Sequence, residues 1–149
     1  MTQRFAKDVT WDGVRPLEEN IPFGIFAGAI AAAVGAAIWM GITVATGMHV
    51  GYVALGVGAL VGLAVRQIGH GNSMIFGIIG AFFTLIGCLG GEVLTVAQLS
   101  VTPHHDFYNV LMNMDLVQVI TRIIEKTDPI MYFIYAIGIF EGYKLSMRR

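Results

Sequence analysis

The fold of this chain is decided by residues 74–98, MIFGIIGAFFTLIGCLGGEVLTVAQ. This stretch is apolar for long enough to cross a lipid bilayer, which takes about 20 residues of helix, and its single charged residue is Glu92. We therefore predict a membrane-spanning helix. Small residues recur along it at spacings of three and four, so one face of this helix can be approached closely by another helix: Gly77, Gly80, Thr84, Gly87 and Gly91.

The composition of the whole chain agrees with a membrane protein of one domain. Of its 149 residues, 56% are hydrophobic and only 13% are charged, whereas soluble domains average about 25% charged residues. The net charge of −1 argues against a nucleic-acid partner, which requires a basic face. The one cysteine, Cys88, excludes an internal disulfide and a cysteine-based zinc site, so we expect it to be a small packing residue.

Three further spans are predicted, over about 23–45, 50–65 and 130–143. Pro22 suits the first turn of the first span, where its missing N–H costs nothing. Short links join the first three spans, which must therefore pack as antiparallel neighbours. The predicted fold is an all-α, four-span membrane bundle. Its predicted helix-packing residues are Gly24, Gly28, Gly58, Gly62, Gly77, Gly80, Gly87 and Gly91.

The segment between the third and fourth spans, about 103–126, is amphipathic and too rich in charge to cross a membrane. We predict one helix here, with Thr102 as its cap and Pro103 at its first position. It can lie along the membrane surface, cover the apolar groove of a partner, or pack on its own bundle. Asp128 and Pro129 end this helix and start the last span. Residues 1–22 and 147–149 are predicted to be a cytoplasmic arm and a basic tail.

Positively charged residues flanking short loops favour the cytoplasm, and they divide unevenly between the two sides of a four-span chain. The side that holds the amphipathic segment has only Arg122 and Lys126. The side that holds both termini has seven positive residues: Arg4, Lys7, Arg15, Arg66, Lys144, Arg148 and Arg149. We therefore predict that both termini are cytoplasmic and that the amphipathic segment lies outside.

The polar residues within or beside the spans are Glu92, Arg66 and Glu141. Glu92 lies about five residues from the outer end of its span, roughly 7–8 Å below that surface. Glu141 lies near the inner surface, so a paired-carboxylate acid/base site is not expected, although Arg66 and Glu141 could form an ion pair. The candidate partners of Glu92 on the outer side are His49, His104, His105 and Arg122.

Two interpretations of Glu92 remain open at this point. A carboxylate without a partner inside a span tends to bind a proton, so Glu92 could handle protons or cations, or bind a polar headgroup. Alternatively, a hydrogen-bonded carboxylate could fix the packing of the helices. Imidazoles and carboxylates are ordinary zinc ligands, but adjacent histidines in a loop rarely point at one ion. We predict no metal site, no cofactor and no catalytic residue, since no nucleophile, phosphate-loop or zinc motif occurs.

Three glycine-rich stretches suggest a family resemblance: GVGALVGLAVRQIGHG (56–71), GIIGAFFTL (77–85) and YAIGIFEGYKLS (135–146). In these the chain resembles small four-span proteins of the bacterial inner membrane, most of which have no assigned activity. Some of them carry an N-terminal zinc ribbon, but this chain has no cysteine pair there. The resemblance implies a bacterial inner-membrane location and no particular activity.

The sequence supports two functional hypotheses. The first is a non-catalytic accessory or scaffold subunit, a homo-oligomer or a component of a larger membrane complex, since small-residue faces are abundant and an amphipathic helix can dock a partner. The second is a module that conducts ions or protons, or transports a small solute, with Glu92 as its site. Membrane lipids are expected partners of either, and nucleic acids are not.

Overall fold

The protein is all-helical in the computed structural model, which describes residues 19–48 and 51–147. The described residues form six helices, named here α1 (Ile21–Thr46), α2 (Tyr52–Gly69), α3 (Met74–Leu99), α4 (Phe107–Asn113), α5 (Leu116–Lys126) and α6 (Pro129–Ser146). The predicted all-α class is therefore confirmed. The N-terminal arm up to residue 18, His49, Arg148 and Arg149 lie outside the described residues, so their predicted roles stay predictions.

Three of these helices, α1, α2 and α3, are long and apolar enough to cross a membrane. They correspond to the first three predicted spans. α2 continues through Arg66 and ends at Gly69, three residues beyond that arginine, where His70 adopts the left-handed conformation with φ 52°. α6 corresponds to the fourth predicted span and begins where predicted, with Asp128 as N-cap and Pro129 at its first position. It is shorter than α1 and α3, and it contains Glu141 and Lys144.

The four long helices pack side by side with alternating direction. α2 and α3 each contact the three other long helices, whereas α1 and α6 do not pack along their lengths within the described residues. Glycine contacts fix the directions: Gly58 meets Gly138 and Gly62 meets Gly142, so α2 and α6 run parallel. Short links between α1, α2 and α3 make sequential neighbours antiparallel, as predicted.

The described ends of the chain lie at the same end of this helical array. Before α1, the Asn20 amide donates to the carbonyl oxygen of Gly69 at 3.0 Å. The carboxylate of Glu19 accepts from the Asn72 amide at 2.8 Å. These bonds place the start of α1 beside the link from α2 to α3. The end of α6 lies there too, because Ser146 is against Gly80 in the first half of α3.

The segment between α3 and α6 differs from the predicted single helix over about 103–126. Thr102 and His105 exchange two backbone hydrogen bonds, at 3.0 and 3.3 Å, so Pro103 lies in a tight turn and not at a helix start. The first helix, α4, begins only after Asp106. Proline presets the backbone for a turn as readily as for a first helical turn, and here the turn forms.

A second break divides the amphipathic segment at Met114 and Asp115. Met114 is extended (φ −71°, ψ 130°). The Asp115 carboxylate accepts from the amides of Val117 and Gln118 and so caps the start of α5. An aspartate at this position satisfies amide donors that a continuous helix would bond to its own backbone. The segment is therefore two short helices, and both contact α3.

The candidate functional site

The eight glycines predicted to pack helices lie against other parts of this chain. An added Cβ at any of them would come within 3.0 Å of a neighbour. Because these glycines already contact residues of the same chain, few of the small-residue helix faces remain available for a separate partner. The pairs are Gly24 with Phe76, Gly28 with Phe83, Gly58 with Gly138, Gly62 with Leu145, Gly77 with Tyr143, Gly80 with Ser146, Gly87 with Val57 and Gly91 with Trp39.

Glu92 lies on the buried side of α3 and is 4% exposed. The hydroxyl of Tyr135, on α6, donates a hydrogen bond of 2.7 Å to Oε1 of Glu92. The ring of Tyr135 also meets the indole of Trp39, on α1, with centroids 5.7 Å apart. The hydrogen bond thus joins α3 to α6, and the ring contact joins α6 to α1. The aromatic partner was absent from the candidates derived from the sequence.

The depths of Glu92 and Tyr135 explain why they meet. Glu92 precedes the last residue of α3, Leu99, by seven residues, and Tyr135 follows the N-cap of α6, Asp128, by seven. At about 1.5 Å per residue, each lies roughly 10 Å inside the same end of the array. Because α3 and α6 are antiparallel, two residues that are each seven positions from the helix end on the same side lie at the same depth. This spacing could have been read from the sequence.

A cavity of about 450 Å³ opens beside this carboxylate, between α3, α5 and α6. We call it the Glu92 cavity. Most of its wall is apolar, but its polar residues include two acids and two bases. Glu92 is buried, whereas Arg122, Lys126 and Asp128 are exposed at the surface. The lining residues are Glu92, Val96, Val119, Arg122, Ile123, Lys126, Thr127, Asp128, Met131 and Tyr135.

Local hydrogen bonds fix the wall that α5 contributes. The capping carboxylate of Asp115 starts α5, and the hydroxyl of Thr127 donates to the carbonyl oxygen of Ile123 at its end. The hydroxyl of Tyr132, on α6, donates to the carbonyl oxygen of Ile124. The bond from Tyr132 ties the end of α5 to α6, and α5 also contacts α3. Arg122 and Lys126, four residues apart, therefore lie on the same face of α5.

The other candidate partners of Glu92 are placed differently. Of the predicted set, Arg122 shares the cavity with Glu92. His104 and His105 lie in the turn before α4, are exposed, and do not line this cavity. Within residues 19–48 and 51–147, no group of three or more histidine, cysteine or acidic side chains is arranged to hold a metal ion.

The remaining predicted polar residues, Arg66 and Glu141, lie at the opposite end of the array. Both are half-buried. No ion pair joins them in the part of the chain that the structure describes. Arg66 lies in the last turn of α2, one helical turn beyond Gly62, which packs on Gly142 and Leu145 of α6.

No family model, no curated protein and no solved structure matches this chain. Chemically, the Glu92 cavity combines a buried carboxylate that accepts a phenolic hydrogen bond with two cations at the surface. Such a set can bind charged groups of either sign.

Proposed function

We propose that the chain is a four-span protein of the bacterial inner membrane, a multi-pass bundle with α6 as its fourth span and both termini cytoplasmic. The uneven distribution of positive charge supports this orientation. Large apolar side chains exposed on the outer faces of the long helices support contact with lipid, and among them are Phe26, Ile30, Phe82, Phe133 and Phe140. The helices α4 and α5 then lie at the outer interface.

Impermeant thiol labelling of intact cells tests this topology. Cys88 is the one cysteine and is 2% exposed, so Cys88→Ala provides a background without thiols. In that background, Glu125→Cys and Lys144→Cys place single thiols at exposed positions of α5 and α6. We expect labelling of Glu125→Cys before lysis and of Lys144→Cys only after it. Labelling of both positions before lysis would contradict four spans.

Within this architecture, we propose a non-catalytic function: a module that handles an ion, a proton or a small solute through Glu92. The supporting observation is a buried carboxylate, hydrogen-bonded by Tyr135, beside a cavity of about 450 Å³. Ionisable groups inside spans are expensive and are typical of ion and substrate pathways. The two ends of the array differ, because Glu92 is buried whereas Glu141, at the other end, is half-buried.

Flux into proteoliposomes tests this proposal. Protons, potassium and small charged solutes would be followed for the wild type, Glu92→Gln and the matched variant Glu141→Gln. We expect Glu92→Gln to lower the flux of the transported species at least about tenfold, because it removes the charge while keeping the side-chain size. Glu141→Gln should retain wild-type flux. Equal flux in Glu92→Gln and the wild type would remove Glu92 from the mechanism.

A second candidate function is that of an accessory or scaffold subunit, in a homo-oligomer or with other membrane-protein subunits. One observation favours it: α4 and α5 have no buried residue and expose Tyr108, Met112 and Val117 at 66–74%. A native mass measurement in mild detergent would detect the complex. We expect Val117→Ser with Met112→Ser to release the partner. A solitary monomer in the wild type would contradict this function.

A further inference from the structure

The charges of the Glu92 cavity are separated by depth. Glu92 forms its floor, 4% exposed and roughly 10 Å inside the end of α3, with the Tyr135 hydroxyl 2.7 Å from its carboxylate. Arg122 and Lys126, on α5, and Asp128, the N-cap of α6, also line the cavity and are exposed. A ligand in this cavity would thus meet the buried carboxylate of Glu92 at the bottom, and two cations with one carboxylate, Asp128, at the opening.

The balance of these charges restricts the class of ligand. Two acids and two bases line the cavity, so their formal charges cancel. At the exposed side the two cations outnumber the carboxylate of Asp128, so a simple cation would meet a net positive charge there, and a simple anion would meet Glu92 at the floor. Like charges brought together at a binding site cost affinity. A ligand that carries both signs satisfies both ends.

The apolar wall and the volume restrict the ligand further. Val96, Val119, Ile123 and Met131 form the apolar part of the cavity wall. The volume of about 450 Å³ falls in the range of about 300–1,000 Å³ that is usual for small-molecule sites. The space therefore fits a small molecule with an apolar body between its charged groups or beside them.

We propose that the Glu92 cavity binds a small zwitterion with a primary ammonium group, an anionic carboxylate or phosphate, and an apolar portion. This inference rests on the proposed function and names its substrate class. The ammonium group donates to Glu92 and lies beside the Tyr135 hydroxyl. The anionic group lies against Arg122 and Lys126, and the apolar portion packs on Val96 and its neighbours.

Two sources could supply this chemistry, a dissolved amino-acid-like solute or an amino-phospholipid headgroup. In such a lipid, the phosphate is attached nearer to the acyl chains and the ammonium group is farther out. In the proposed orientation, the cavity has the opposite order, since Glu92 is deeper than Arg122 and Lys126. A dissolved solute can enter with its ammonium group first, so that this group reaches Glu92 and the anionic group remains beside Arg122 and Lys126.

Calorimetric titration of the full chain in nanodiscs tests the inference with three related probes. L-Leucine carries both charges, N-acetyl-L-leucine only the anion, and L-leucinamide only the cation. We expect leucine to bind at least about tenfold more tightly than either derivative, since a hydrogen bond to a charged group contributes about 1.5–3 kcal/mol and 1.4 kcal/mol is tenfold. Equal binding of leucinamide and leucine would overturn the zwitterion class, yet leave Glu92 as a cation site.

Variants assign the two ends of the ligand. Glu92→Gln and Arg122→Gln should each weaken leucine binding at least about tenfold, whereas the control Glu125→Gln, on α5 but outside the cavity lining, should not. Arg122 is exposed, so its variant should fold even if Glu92→Gln does not. No binding of leucine at millimolar concentration would overturn the inference, while flux that depends on Glu92 would still support the proposed function.

The lipid composition of the nanodiscs separates the two sources. Leucine binding should be the same in phosphatidylglycerol and in phosphatidylethanolamine discs. Displacement of leucine by phosphatidylethanolamine would assign the cavity to a lipid headgroup and overturn the dissolved-solute source.

Discussion

The close approach of α2 and α6 at Gly58 leads to the sharpest prediction about stability. A Cβ built on Gly58 would lie 3.0 Å from the carbonyl carbon of Gly138 and closer still to its oxygen. Both atoms are backbone and cannot rotate away. An ordinary van der Waals contact needs 3.4 Å or more. Gly58→Ala must therefore separate the two helices by at least about 0.4 Å to relieve the contact with the carbonyl carbon, and by more to relieve the contact with the carbonyl oxygen.

The cost of this separation follows from packing. A gap of about 0.5–1 Å forfeits a quarter to a half of the dispersion attraction between the atoms concerned, and overpacking a well-packed core typically costs 1–3 kcal/mol. Because the opposing atoms belong to the backbone, we expect the cost of Gly58→Ala to be near the upper end of this range, a loss of about 3 kcal/mol of unfolding free energy. For a chain of this length that corresponds to roughly 6–12 °C in Tm.

The same helix offers a matched control in Gly56. A Cβ on Gly56 would meet nothing within 4 Å, although it is only two residues from Gly58 and undergoes the same chemical change. Gly56→Ala should therefore not lower the Tm, and it can gain up to about 1 kcal/mol from helix propensity. Both variants would be purified in one detergent and melted while helical circular dichroism is recorded.

Two outcomes would refute the reasoning. If Gly58→Ala and Gly56→Ala had the same Tm, α2 and α6 would not approach at Gly58. The reciprocal change gives a second check, because a Cβ on Gly138 would lie 2.8 Å from the carbonyl oxygen of Ala54. Once Gly58→Ala has separated the helices, adding Gly138→Ala should cost less than it does alone. Strict additivity would contradict a shared contact.

Three further predictions concern single side chains. Tyr135→Phe removes the hydrogen bond to Glu92 and should cost about 1–3 kcal/mol of unfolding free energy, measured by chemical denaturation. The control Tyr132→Phe removes a more exposed hydrogen bond and should cost less. If Tyr132→Phe lost as much unfolding free energy as Tyr135→Phe, the hydrogen bond between Tyr135 and Glu92 would not be the stabilising one. Asp115→Ala removes the cap of α5 and should cost about 1 kcal/mol, with faster amide hydrogen exchange confined to α5; unchanged exchange there would count against the cap. Cys88 is 2% exposed, so a maleimide should label it slowly in the folded protein and rapidly after unfolding; rapid labelling before unfolding would place the thiol at an accessible surface.

Much of the helical order could be predicted from the sequence, because hydropathy and the local chemistry of proline and aspartate act within one stretch of chain. Residues 74–98 were predicted as a helix, and α3 runs from Met74 to Leu99. Asp128 and Pro129 start α6 as predicted. The helix start at Thr102 and Pro103 was wrong, since the same residues form a tight turn, and local chemistry favours both.

The candidate site was predicted only in part. Glu92 was identified because a charge inside an apolar span is conspicuous at the level of the sequence. Tyr135 was missed, since its hydrogen bond to Glu92 joins residues 43 positions apart. Arg122 was named among several possible partners, and only the position of α5 over the ends of α3 and α6 selected it for the cavity.

The sequence by itself determined where the four long helices lie, and three of them, α1, α2 and α3, are long and apolar enough to cross a membrane. These are properties of each segment and its solvent. Only the tertiary structure decided which glycine meets which neighbour, that α2 packs on α6 at Gly58, and that Glu92 shares a cavity with Arg122. The physical reason is that such contacts depend on the direction, depth and rotation of two helices at once, and a stripe of small residues specifies none of these for its partner.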